Sequence, residues 1–85
     1  MAGYRVVHSD EFDDDLKKAG PDDHRMVEVL TAIKDALSRN PLVGREVDRG
    51  VRMIFGHPRQ AMPVAFYYVI NGQTVELVGA RQVGM

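Results

Sequence analysis

The chain contains no cysteine and no tryptophan, and no lysine follows Lys34. Without cysteine, neither a disulfide nor a thiolate ligand or nucleophile can form, which fits a reducing compartment. The three histidines, His8, His24 and His57, are not at metal-ligand spacing, and with no thiolate to join them no metal site is expected. No apolar run approaches the roughly 18 residues that cross a bilayer, and no signal-peptide pattern precedes Tyr4. The expectation is a cytoplasmic protein with no membrane partner. Its 85 residues are expected to form one domain, residues 1–85, with a small core.

Charge of one sign is short in each half. Residues 1–38 hold nine acidic against five basic side chains, and residues 39–85 hold six arginines against three acids. The net charge of -1 hides this division. All the positive charge of the second half is guanidinium, which suits bidentate contact with phosphate or carboxylate better than an ammonium does. Two oppositely charged solvated faces explain the division equally well, and the overall charge does not by itself predict nucleic-acid binding.

Apolar spacing locates two helices. Ser9 reads as an N-cap, with Asp10 and Glu11 in the first turn where the helix dipole favours acids. Phe12, Leu16 and Ala19 then fall on one helical face. Gly20-Pro21 ends this helix, and a second starts near Pro21-Asp22-Asp23. Its stripe is Met26, Val29, Leu30, Ile33 and Leu37, widened by Ala32 and Ala36, and Asn40-Pro41 ends it. The connection is so short that the helices must fold back as a hairpin. Consecutive helical residues point about 100° apart, so Asp13, Asp14 and Asp15 cannot converge and read as a solvated face.

Strand patterns occupy the ends. Tyr4 to His8 is one candidate. Residues 42–50 read as a linker. Strands at 51–55, 64–70 and 74–81 follow, and Asn71-Gly72 reads as the central pair of a two-residue hairpin turn. That turn pairs Ile70 with Gln73, Tyr68 with Val75 and Phe66 with Leu77. Phe66, Tyr68, Val75 and Leu77 make the better core face, and Tyr67 points the other way. The expected fold is α+β in two layers: a helical hairpin packed on a four-stranded, mostly antiparallel sheet in the order β-α-α-β-β-β.

This order and these strings resemble the RelE/ParE superfamily of toxins from bacterial type II toxin–antitoxin systems. The matching pieces are Tyr4-Arg5-Val6-Val7-His8-Ser9, Phe12, Leu16-Lys17-Lys18, the helix end from Leu37 to Pro41, Val51-Arg52, Tyr68-Val69-Ile70, and Val75 to Arg81. They cover nearly the whole chain, although each is loose. The resemblance implies a cognate antitoxin that wraps the toxin; separately, five methionines and a sheet covered on only one side are expected to leave apolar surface exposed, so that the free protein self-associates. The resemblance also implies one of two targets. RelE-like members cleave mRNA in the ribosome, using the ribose 2′-hydroxyl as nucleophile, whereas ParE-like members inhibit DNA gyrase. No cofactor is implied.

By the same resemblance, Arg81 matches the arginine that contacts the scissile phosphate in RelE-like nucleases, and Arg52 matches a basic residue on the strand after the linker. These two are the catalytic candidates, and His57 and Arg59 join them as nucleic-acid-binding candidates. The competing reading is two surface arginines paired with Glu76 or Asp48, and a solvated loop histidine. After Arg81 come Gln82, Val83, Gly84 and Met85, without the tyrosine, histidine or lysine that RelE-like nucleases supply there. The proton-transfer set is thin, so a toxin that blocks translation or gyrase by binding is expected. A ribosome-dependent mRNA endonuclease and a diverged, non-toxic relative are the alternatives.

Overall fold

The computed structural model describes residues 3–19, 23–56 and 63–83. Strand β1 (Arg5–His8) leads into helix α1 (Asp10–Ala19), followed by α2 (Asp23–Arg39) and by strands β2 (Arg45–Asp48), β3 (Val51–Gly56), β4 (Val64–Asn71) and β5 (Thr74–Gln82). The sheet order is β1-β5-β4-β3-β2. β1 runs parallel to β5, and the other neighbours are antiparallel. The α+β class and the mostly antiparallel sheet agree with expectation, but the sheet has five strands rather than four.

The extra strand is β2, which lies within the segment read as a linker. All four of its residues are exposed. An edge strand that buries nothing carries no apolar alternation, so the pattern that reveals strands is missing there. β2 joins β3 through the two residues Arg49 and Gly50.

Ser9 caps α1 as expected: the Phe12 N–H donates to its Oγ at 3.2 Å. His8 Nδ1 lies 2.9 Å from Asp13 Oδ1, and its ring packs on Phe12. The end of β1 is thus tied to the first turn of the helix. Phe12, Met26, Ile33 and Leu37 from the helices are buried with Val64, Phe66, Tyr68, Val75, Leu77 and Ala80 from the sheet. Val29 and Leu30 are partly buried against them, whereas Ala32 is exposed and does not widen the stripe. Both helices therefore cover one face of the sheet. The opposite face carries Met53, Ala65, Tyr67 and Val69, by strand alternation from the buried row.

The β4–β5 hairpin differs from the expected register by two residues. Asn71 pairs with Thr74, so Gly72 and Gln73 form the loop, and Gly72 takes the positive φ of 63° that suits glycine. Up to Leu77 a two-residue slip leaves each side chain on its expected face. It sets Ile70 opposite Val75 and Tyr68 opposite Leu77, matching large apolar partners across the pair. Leu37→Ala should destabilise the protein by about 2–5 kcal/mol, because Leu37 is wholly buried in the core. Val27→Ala, at a position 62% exposed, should change stability by less than about 0.5 kcal/mol. Urea titrations of the two variants check the assignment of the stripe.

Candidate anion-binding cleft at the end of the last strand

A bulge places the most important side chain. Tyr67 pairs with Gly79 while Tyr68 pairs with Leu77, so Val78 is an extra residue in β5. Without it, Leu77, Gly79 and Arg81 would share a face. With it, Ala80 comes opposite Phe66 in the core, and Arg81 comes opposite Ala65 on the face away from the helices.

Arg52 lies elsewhere. It pairs with Tyr68, three residues from Ala65 along β4, which puts it on the helix-bearing face. The two arginines expected to share an anion therefore leave the sheet on opposite faces. Arg52 is half-buried, and its Nη1 donates to the Gly44 carbonyl at 2.6 Å. It belongs to a structural clasp. The buried Tyr68 hydroxyl donates to the Pro41 carbonyl at 2.7 Å and accepts from the Gly44 N–H at 3.0 Å. Only glycine fits at position 44, since a Cβ there would lie 2.5 Å from the Tyr68 hydroxyl and 2.6 Å from the Met53 carbonyl. Burial pushes the Tyr68 phenol above its usual value, with the Gly44 N–H and the Arg52 guanidinium pulling the other way.

Arg81 is exposed and makes no ion pair or hydrogen bond from its side chain among the described residues. It lines a cleft of about 220 Å³ with Ala80, Gln82 and, from α1, Asp15 and Lys18. Asp15 stands next to the bulge: a Cβ built on Gly79 would be 3.6 Å from its Oδ2. The cleft gathers two cations and one carboxylate, a formal charge of about +1. Lys18 is absent from the sequence-based set. Its helical i, i+3 spacing from Asp15 was legible, but nothing in the sequence brings that turn of α1 to the end of β5.

His57 and Arg59 lie outside the described residues, as does the side chain of His24. Tyr67 is half-buried on the uncovered face, beside Met53 and Gly79 in the same cross-strand row. Among the described residues, no three or more metal-ligating side chains gather, and no helix is long and apolar enough to cross a membrane.

Two predictions follow from these placements. Arg52→Ala should cost about 1–3 kcal/mol through loss of a charge-assisted hydrogen bond, whereas Arg81→Ala should cost less than about 0.5 kcal/mol; thermal unfolding separates them. Tyr68 should also make stability fall in alkali. Its folded value is raised, so its contribution is complete below the unfolded value of about 10 and is lost as pH rises from there through the folded value. Tyr68→Phe should be less stable at pH 7 and should lose that alkaline fall, measured as the wild-type minus variant difference in unfolding free energy across pH 8 to 11.

No protein-family model matches the chain, and no curated protein matches it. Solved structures do. A chain of the RelBE2 toxin–antitoxin complex of Mycobacterium tuberculosis is 25% identical with a TM-score of 0.72, over 98% of this chain and 94% of that one. A chain of the chromosomal ParDE toxin–antitoxin system of P. aeruginosa is 16% identical with a TM-score of 0.66, over 95% of this chain and 97% of that one. Along nearly its whole length, then, the chain is built on the fold of RelE/ParE-type toxin–antitoxin components.

Proposed function

We propose that this chain is the toxin of a bacterial toxin–antitoxin module, held by a cognate antitoxin and acting by binding a phosphate-bearing target of translation or DNA topology. The observation that carries the reading is Arg81. On a fold matched nearly end to end by toxin–antitoxin components, it stands exposed on the sheet face away from the helices, without an ion pair among the described residues, and shares a cleft with Lys18. Guanidinium and ammonium together suit a phosphate of RNA or DNA, the first by bidentate contact and the second as a point charge.

Binding is favoured over cleavage because Arg52 is committed to Gly44. One arginine can hold and orient a phosphate. Moving a proton off a 2′-hydroxyl and onto a leaving oxygen needs an acid and a base poised at the same centre. For the mRNA endonuclease reading, His57 or Arg59 would have to join Arg81.

Inducible expression of the chain alone should arrest bacterial growth. Co-expression with its cognate antitoxin should relieve the arrest, and Arg81→Ala should abolish it without unfolding the protein. Mapping mRNA 5′ ends and assaying gyrase supercoiling in the same cells distinguishes the targets. New message ends that vanish in Arg81→Ala would establish the nuclease and displace the binding reading. Unimpaired growth with folded protein accumulating would mark a diverged, non-toxic relative.

A further inference from the structure

Away from the helices, the sheet presents an apolar field with charges at its margins. Cross-strand pairing draws two rows through its middle. The first runs Val7, Glu76, Val69, Val51 and Asp48, and the second runs Gly79, Tyr67, Met53 and Arg45. Phe55 stands in the row beyond, with Ala65 and Arg81. Phe55 is 43% exposed and Val7 is 36% exposed, which is unusual for large apolar side chains grouped on one face. Arg45, Asp48, Glu76 and Arg81 are all exposed and make no ion pair among the described residues.

This face matches its own image. A second copy can be turned over about a two-fold axis that crosses the strands between the two rows. Each row then lies on the other. Val51 meets Met53 of the second copy, and Val69 meets Tyr67 of the second copy. At β2, Arg45 meets Asp48 of the second copy, and by symmetry Asp48 meets its Arg45. At β5, Glu76 comes over Gly79 of the second copy, where there is no side chain to displace. That places its carboxylate one row from Arg81 of the second copy, at the mouth of a cleft with a formal charge of about +1. Apolar residues thus fall on apolar residues, and each margin charge falls beside its opposite.

We infer that the free chain forms a two-fold dimer in which these two sheet faces pack on each other as a sandwich. Stacked antiparallel sheets pack about 10 Å apart with their strands within about 30°, which the antiparallel setting of the two copies permits. Strands of the observed lengths offer a flat face of about 500 Å². Two such faces reach about 1,000 Å², the lower bound of a specific interface, so the dimer is weak and reversible. The dimer stands on the face alone, and its consequence for activity rests on the toxin reading above. Arg81 is turned into the interface, so the group offered to a target phosphate is withdrawn while the chain is dimeric.

The test uses the full chain, made by cell-free synthesis without an antitoxin, in sedimentation equilibrium. Between about 5 and about 200 µM, the range of weak specific complexes, its mass should rise from that of one chain toward that of two. Val69→Lys, at the centre of the face, should keep it monomeric, and Val27→Lys, on the exposed side of α2, should not. Asp48→Arg and Arg45→Asp should each weaken association at least about tenfold, because each sets like charges against each other twice. The double variant re-forms both pairs in the reversed sense and should recover the association of the parent. Thermal unfolding confirms that each variant is folded. A chain that stays monomeric throughout overturns the dimer. A folded Val69→Lys variant that still dimerises overturns the face, and single charge variants without effect or without rescue overturn the two-fold setting. None of these results bears on the toxin reading, which growth arrest tests separately.

Discussion

The Tyr68 hydroxyl is the contact on which the arrangement turns. Tyr68 is the largest fully buried side chain among the described residues, and its ring is part of the apolar core. A buried phenol must spend its hydroxyl on a partner, because leaving it unpaired costs about 1–3 kcal/mol. It does so on both sides of one loop, through Pro41 and Gly44. The chain leaving α2 is thereby pinned over the sheet, and β2 must begin at Arg45. Arg52 caps the same loop through the Gly44 carbonyl. Helix end, loop, edge strand and one of the two candidate arginines are thus set by one aromatic residue.

The division of labour between the arginines follows. Both lie on strands of the basic half. Yet one is consumed in holding the fold, and the other makes no ion pair or side-chain hydrogen bond among the described residues. The distinction is one of neighbours rather than residue type: Arg52 meets a carbonyl that backs onto a buried hydroxyl, and Arg81 meets a cleft. A single extra residue, Val78, makes the second outcome possible by rotating the end of β5 so that Ala80 fills the core and Arg81 reaches the face away from the helices.

The acidic and basic halves also meet in the cleft. α1 supplies Asp15 and Lys18, and β5 supplies Arg81 and Gln82. The parallel pairing of β1 with β5 aligns them, because it delivers the start of α1 to the middle of β5. That β1 stops after four residues leaves room for α1 to approach the rest of β5. The same short strand thus builds the cleft.

Much of this was legible in the sequence. The Ser9 cap, the stripe of Met26, Ile33 and Leu37, and the core face of Phe66, Tyr68, Val75 and Leu77 follow from local chemistry and from the 3.6- and 2-residue periods. They hold because each depends on residues close in the chain. β2 was hidden because an edge strand needs no buried face. The hairpin register was read two residues off because apolar pairing across the strands outweighed the preference of Asn71-Gly72 for the turn centre. The face of Arg81, the capture of Arg52 and the approach of Lys18 depend on a bulge, a buried hydroxyl and a parallel strand that join distant segments. The sequence by itself determined which elements form and which faces are apolar. Only the tertiary structure decided which arginine the fold engages, since that depends on which carbonyl or cleft each guanidinium meets, and periodicity carries no record of such neighbours.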